Sequence, residues 1–190
     1  ALSGDTALVG AVYDDDKGKS SGSAYVLVRT GTIWSQQAKL TASDGVASDE
    51  FGWSLALSGD TAVVGARLND TTAKDAGSAY VFVRTGTAWS QQAKLTASDG
   101  AADDHFGYSV ALSGDTTLVG AVGHDAKGSG SGGAYLFVRT GTAWSQQAKL
   151  TASDGAAGDQ FGSSAALSGD TALVGSIYDD GNKGSVYVFV

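Results

Sequence analysis

Paired carboxylates are the groups in this 190-residue chain whose spacing could hold a metal ion. Asp44 and Asp49 flank Gly45, and the pair returns as Asp99 with Asp104 and as Asp154 with Asp159. Two carboxylates beside a glycine can clamp a hard cation such as Ca2+. The same residues also serve a plainer purpose, since Asp-Gly makes turns and an Asp before a chain reversal accepts backbone N–H bonds. A second acidic set lies in a loop of changing length: Asp14, Asp15 and Asp16, then Asn69 and Asp70, then His124 and Asp125, then Asp179 and Asp180. These are candidate contact-loop residues of the kind a rigid scaffold displays. As isolated sequence they read as solvated turns.

Catalytic chemistry finds little support. His105 and His124 stand at non-equivalent loop positions without a recurring Ser or Asp partner, and there is no cysteine to act as a nucleophile or zinc ligand. No Gly-x-Ser-x-Gly elbow, His-Glu-x-x-His helix or phosphate loop is present. The expectation is a protein that is not an enzyme.

The framework that must position these groups is a repeat. Ala-Leu-Ser-Gly-Asp-Thr begins at Ala1, Ala56, Ala111 and Ala166, a constant step of 55. Trp-Ser-Gln-Gln-Ala-Lys-Leu-Thr-Ala-Ser-Asp-Gly begins at Trp34, Trp89 and Trp144, and Phe-Gly recurs at Phe51, Phe106 and Phe161. The repeat units are therefore residues 1–55, 56–110 and 111–165, with a partial unit at 166–190.

Four strands fit one unit, separated by Gly, Asp, Ser and Thr turns. Residues 51–57 read as an inner strand that turns at Ser58-Gly59-Asp60 into 61–66. A variable loop at 69–76 leads to 78–83, whose Ala-Tyr-Val-Phe-Val run is apolar on both faces and so buried. In 88–97, Trp89, Gln91, Ala93 and Leu95 alternate with Ser90, Gln92 and Lys94, which predicts an outer strand with one wetter face. Arg29, Arg84 and Arg139, with Lys39, Lys94 and Lys149, would guard its edge. Trp53, Tyr108 and Ser163 share one inner-strand position near the axis, where the aromatics are expected to pack between blades. The fold class is all-β, a β-propeller of four-stranded antiparallel blades.

The motif pieces Phe51-Gly52, Val64-Gly65-Ala66 and Gly77-Ser78-Ala79-Tyr80-Val81-Phe82-Val83, in this order and at constant spacing, resemble the FG-GAP repeat of integrin-alpha-type propellers and of bacterial proteins built from it. The resemblance implies a propeller working outside the cell or at its surface, in adhesion or ligand recognition. Two departures stand out. Where the family places proline after Gly-Ala, this chain has Val12, Arg67 and Val122, with Gly175-Ser176 in the fourth copy. Where the family often carries an Asp-rich calcium loop, this chain has Ser-Gly-Asp, too few oxygens for calcium's six to eight ligands.

Composition limits the partners. Twenty Asp and Glu against twelve Lys and Arg leave a net charge of -8, which repels nucleic acid. No stretch approaches the run of about 20 apolar residues that spans a bilayer, so membrane insertion is not expected. Neither a signal peptide nor a lipidation signal is visible. The absence of Met and Pro, with Ala1 in first place, fits a part of a longer protein or a processed one, and near-perfect copies without Met, Cys or Pro fit a designed or recently amplified array. Four inner hairpins with three outer strands predict either a homo-oligomer whose two chains complete a ring or membership of a larger ring. The ligand of the leading reading is a protein or a glycan. An alternative is a structural or engineered self-assembling array without a ligand, and a third reading is the accessory propeller of a hydrolase.

Overall fold

A computed structural model describes residues 1–190. Its strands form four separate antiparallel sheets, each a meander in chain order. The first contains β1 (Leu2–Ser3), β2 (Thr6–Ala11), β3 (Ser23–Thr30) and β4 (Ile33–Leu40). The second contains β5 (Phe51–Ser58), β6 (Thr61–Ala66), β7 (Ser78–Thr85) and β8 (Ala88–Leu95). The third contains β9 (Phe106–Ser113), β10 (Thr116–Ala121), β11 (Gly133–Thr140) and β12 (Ala143–Leu150). The fourth contains β13 (Phe161–Ser168), β14 (Thr171–Ser176) and β15 (Ser185–Phe189). Each sheet is a propeller blade, and the Phe-Gly motif opens β5, β9 and β13. Ala56 falls inside β5, so the blades start ahead of the Ala-Leu-Ser-Gly-Asp-Thr motif. One helical turn, Asp179–Asn182, interrupts the fourth blade with Asp180 and Gly181 at φ 51 and 70. No helix is long and apolar enough to cross a membrane.

The blades pack face to face, and three apolar clusters fill the gaps. Leu8, Val26 and Leu40 of the first blade meet Phe51, Val64, Tyr80 and Phe82 of the second. Val63, Val81 and Leu95 of the second meet Phe106, Val119, Tyr135 and Phe137 of the third. Leu118 of the third meets Phe161 and Val174, with Tyr187 and Phe189 at the margin. Alternate residues of β6 and β7 thus enter different clusters, which is why these strands are apolar throughout. Within each gap the Phe packs at a steep angle against two rings, for example Phe106 tilted by 59° to Tyr135 at 5.6 Å and edge-on to Phe137 at 5.9 Å.

Glycine sets how closely the blades approach. A methyl group at Gly65 would collide with the Gly107 carbonyl, and Gly10 and Gly120 face the Gly52 and Gly162 carbonyls in the same way. The backbones join directly as well, since Phe51, Phe106 and Phe161 donate their N–H groups to Ser21, Ala76 and Ser131 of the preceding blade at 2.8–3.0 Å.

The outer strand departs from simple alternation. In the second blade Val81 pairs with Ala93 but Phe82 pairs with Gln91, leaving Gln92 as an extra residue, and Gln37 and Gln147 are extra at the same place. This β-bulge reverses the phase of the strand. Trp89 consequently packs on the first-blade side, whereas Ala93 and Leu95 pack on the third-blade side. The four residues expected on one face are divided between two.

The double glutamine then clasps both neighbours. Gln92 Oε1 accepts the Trp144 indole N–H of the following blade at 3.0 Å, and Gln37 accepts Trp89 at 3.0 Å. Gln91 accepts the Ser43 N–H from the preceding loop, and Gln146 that of Ser98. The repeated arginines Arg84 and Arg139 bridge blades rather than guard an edge. Arg84 binds Asp60 within its blade and donates to Thr6 Oγ1 of the preceding one at 3.1 Å, and Arg139 repeats this with Asp115 and Thr61. Such edge arginines therefore hold the register of neighbouring sheets.

Candidate functional site

An antiparallel meander has two ends, and here they differ. The β1–β2 and β3–β4 type turns carry Ser-Gly-Asp and Arg-Thr-Gly-Thr, repeated without change in every copy that contains them. The opposite end carries the loops after the second and fourth strands, where the copies diverge. Val12, Arg67, Val122 and Ile177 occupy one such position, and Glu50, His105 and Gln160 another.

Backbone geometry presents these variable side chains in a repeated way. Glu50, His105 and Gln160 have φ of 55°, 57° and 55°, a left-handed conformation uncommon outside glycine. The Phe that follows stays in the ladder and the two residues after it leave it: Phe51 pairs with Ala66 and Ser54 with Gly65, so Gly52 and Trp53 are looped out. Tyr108 and Ser163 are looped out at the same place. Bulges beside a sheet rim re-aim side chains, and strained left-handed residues concentrate at functional positions. The chain holds one shape at this rim and varies the chemistry on it.

On the second and third blades the rim side chains form one cluster. Arg67 Nε donates to Glu50 Oε2 at 2.7 Å, and its guanidinium lies 3.7 Å over the Trp53 ring. Trp53 and Tyr108 are 5.7 Å apart with planes tilted by 53°. Both rings are half-buried, so they pack across the blade boundary as expected while keeping an accessible edge. Burial first, and the Arg67 charge second, hold the His105 imidazole below its ordinary value. The group is thus aromatic, rich in hydrogen-bond donors and internally charge-balanced.

The carboxylates considered for calcium occupy a different layer, between blades. Asp44 receives the Tyr80 hydroxyl at 2.9 Å and the Lys94 ammonium at 2.6 Å, one on each oxygen. Asp99 receives Tyr135 at 2.9 Å and Lys149 at 2.7 Å, and Asp154 receives Tyr187 at 2.7 Å. Burial pushes the Asp44 and Asp99 carboxyls up, but lysine and tyrosine outweigh it and hold both below the ordinary value. Burial also drives the Tyr80 and Tyr135 hydroxyls far above theirs.

Asp49, Asp104 and Asp159 are buried and accept the N–H groups of Val46, Ala101 and Ala156, closing their own turns. Burial raises the Asp49 carboxyl despite that bond and a second from Asn69. Nowhere do three His, Asp or Glu side chains converge as a cation site. Asp44, Asp49, Asp99, Asp104 and Asp154 act here as struts joining each loop to the next blade, and Asp159 closes its own turn.

The contact-loop candidates separate into two groups. Asn69, His124 and Asp179 are buried, contrary to the solvated-turn reading, because each faces the Asp of the preceding repeat. Asn69 Nδ2 donates to Asp49 at 3.0 Å, and His124 Nδ1 lies 3.0 Å from Asp104 while its Nε2 faces Lys149. Both imidazole nitrogens are therefore occupied. The Tyr187 hydroxyl oxygen lies 2.8 Å from Asp179 as well as 2.7 Å from Asp154, so the two carboxylates share its single hydrogen. Asp14, half-buried, accepts Ser23 and Tyr25 and pairs with Lys39, which also pairs with Asp16. Asp15, Asp70 and Asp125 are exposed and close their loops on the N–H groups of Ser20, Asp75 and Gly130, and Asp180 is exposed in the helical turn.

Sequence reasoning missed the rim cluster as a unit and missed the glutamine clasp. A usable signal existed for the first: positions where otherwise matching copies carry Glu, His and Gln, or Trp, Tyr and Ser. Comparison with known proteins agrees with the architecture. A search of curated proteins finds no match, whereas the FG-GAP repeat profile matches residues 1–27, 34–82, 89–137 and 144–189. Each match covers inner strands of one blade, the last three beginning in the outer strand of the blade before, and this chain belongs to the FG-GAP repeat family.

Proposed function

We propose that this chain is a non-catalytic recognition module, working outside the cell or at its surface, that presents the variable rim of its blades to a protein or glycan ligand. The observation that carries this reading is the distribution of difference among the copies. Loops at one end repeat unchanged, while at the other end a repeated backbone shape carries partly exposed Trp53 and Arg67 over buried Glu50, then partly exposed His105 and Tyr108 over buried Val122, then Gln160, Ser163 and exposed Ile177. A purely structural array gains nothing from such local divergence. Function resides in the site and not in the propeller itself, which hosts many activities.

The test is an array of glycans and extracellular-matrix proteins probed with the chain and with Trp53→Ala. Saturable binding to a discrete ligand that Trp53→Ala weakens about tenfold or more supports the reading. A loss of ~1.4 kcal/mol corresponds to that factor. Silence across the array, or binding indifferent to the rim, would favour a scaffold role instead.

A further inference from the structure

Indole and hydroxyl groups packed between blades are satisfied from within. Glutamines accept the N–H groups of Trp89 and Trp144, and carboxylates accept the hydroxyls of Tyr80 and Tyr135. At the rim of the second and third blades the same kinds of group stay open. Trp53 Nε1, the Tyr108 hydroxyl and both His105 ring nitrogens have no protein partner, and Arg67 spends only its Nε, on Glu50. No polar side-chain atom sealed from solvent lacks a partner, so each of these open groups reaches the surface. Their residues are half-buried all the same, and Arg67 is pinned between Glu50 and the Trp53 ring 3.7 Å away.

The open groups share a chemistry. Arg67 and Trp53 offer N–H donors and nothing that accepts, whereas the Tyr108 hydroxyl and the His105 imidazole both donate and accept. Glu50, the carboxylate within the cluster, is 9% exposed and is held by Arg67. A matching ligand brings acceptors without hydrogens to Arg67, and groups that donate and accept to Tyr108 and His105. The terminal nitrogens of Arg67 fit a carboxylate as a fork. Hydroxyls answer the rest, and the exposed parts of the Trp53 and Tyr108 rings, 5.7 Å apart, supply apolar contact. Asp75, Asp103 and Asp104 act on His105, which places the negative charge of a ligand at Arg67 and its hydroxyls at His105. A peptide strand is served less well. Trp53 and Tyr108 return their backbone N–H groups to the Glu50 and His105 carbonyls at 3.2 and 3.1 Å, and so offer none to an added strand.

We propose that this rim binds an acidic sugar, with its carboxylate on the terminal nitrogens of Arg67 and its hydroxyls on Tyr108, His105 and the Trp53 indole. The inference rests on the recognition reading and narrows its ligand to a carboxylated glycan. A net charge of -8 gives no long-range attraction to such a ligand, so the contact with Arg67 has to supply the affinity for the carboxylate. Equivalent positions in other copies lack the pair: Val12 and Val122 stand where Arg67 does, and Gln160 where Glu50 does.

The test is calorimetric titration of the full chain with trigalacturonate and with its methyl ester, which keeps the sugar rings and loses the charge. Glu50→Gln with Arg67→Val installs residues that other copies carry at these positions and leaves no carboxylate unpaired, so the circular dichroism spectrum should be unchanged. Arg67→Lys keeps the charge but not the fork. The wild-type chain should bind the acid about tenfold or more tighter than the ester, and both variants should lose most of that preference. Failure to bind trigalacturonate, equal binding of acid and ester, or a preference that survives in either variant overturns the inference. Equal or tighter binding of hexaglutamate, which has the carboxylates without the sugar, overturns it as well. A neutral glycan or a protein bound through Trp53 on the array leaves the recognition reading standing while this inference falls. Binding there that ignores the rim, or silence, removes both.

Discussion

Leu118 and Leu173 occupy the same position in successive blades, and truncating each to alanine measures how much one blade stabilises its neighbour. Leucine to alanine removes three carbons, worth ~2.4 kcal/mol at about 0.8 kcal/mol per buried methylene. Leu118 is fully buried in the third gap, so cavity formation should raise its cost to about 2.7–5.0 kcal/mol. Leu173 is already 40% exposed and no blade faces it in the single chain, so only the remaining transfer contribution, ~1.4 kcal/mol, is lost. The difference should be at least about 1.3 kcal/mol for one chemical change on one type of strand. Native-state amide exchange is the suitable assay, because stacked repeats open locally and a single denaturation midpoint merges their stabilities. Equal loss of protection in β10 and β14, or a greater loss in β14, would refute the claim that face-to-face packing supplies the stability.

Other consequences follow from the same contacts. Gly65→Ala should force the second and third blades apart at the Gly107 carbonyl and cost about 1–3 kcal/mol or more by overpacking, visible as lowered protection in β6 and β9. Trp144→Phe keeps an aromatic ring but removes the pyrrole with the N–H that Gln92 accepts, and should cost at least about 0.5–1.5 kcal/mol in thermal or chemical denaturation. Asp14 is held at about 2, against 3.8 when free, by hydrogen bonds from Lys39 first and from Ser23 and Tyr25. A depressed carboxyl contributes stability that is whole above 3.8 and lost as pH falls towards 2. Lys39→Met should therefore flatten the acid limb of the melting temperature in that window, and an unchanged limb would exclude the pairing. Calcium titration should give no heat and no change in melting temperature, since tyrosine, lysine and backbone N–H groups already occupy the Asp44 and Asp49 oxygens. A saturable signal abolished by Asp44→Asn would instead place a cation in that loop.

The parts of this fold that were legible in sequence are those governed by a local period. Phe-Gly, the Ser-Gly-Asp turn and the doubly apolar 78–83 segment placed β5, β6 and β7 because each strand's character is written in its own residues. Gln91-Gln92 misled for the same reason. Alternation runs through the pair without interruption, and only the partner strand reveals that Gln92 is extra. Burial of Asn69 and His124 was hidden by sequence distance, because the Asp that each one faces lies 20 residues earlier, in the preceding repeat. The same holds for Tyr80, whose acceptor Asp44 is 36 residues away. At the rim, residue types were readable but their convergence was not. Arg67 over Trp53 and Trp53 against Tyr108 depend on the bulge and on blade spacing, neither of which a single strand encodes.

The rim is a recognition surface only if binding depends on its side chains. The most direct measurement is the affinity of the wild-type chain, of Trp53→Ala and of Arg67→Ala for the glycan or matrix protein that the array identifies. A loss of about tenfold or more in each variant, with the circular dichroism spectrum unchanged, is predicted. Binding indifferent to both substitutions would contradict a recognition role for this cluster.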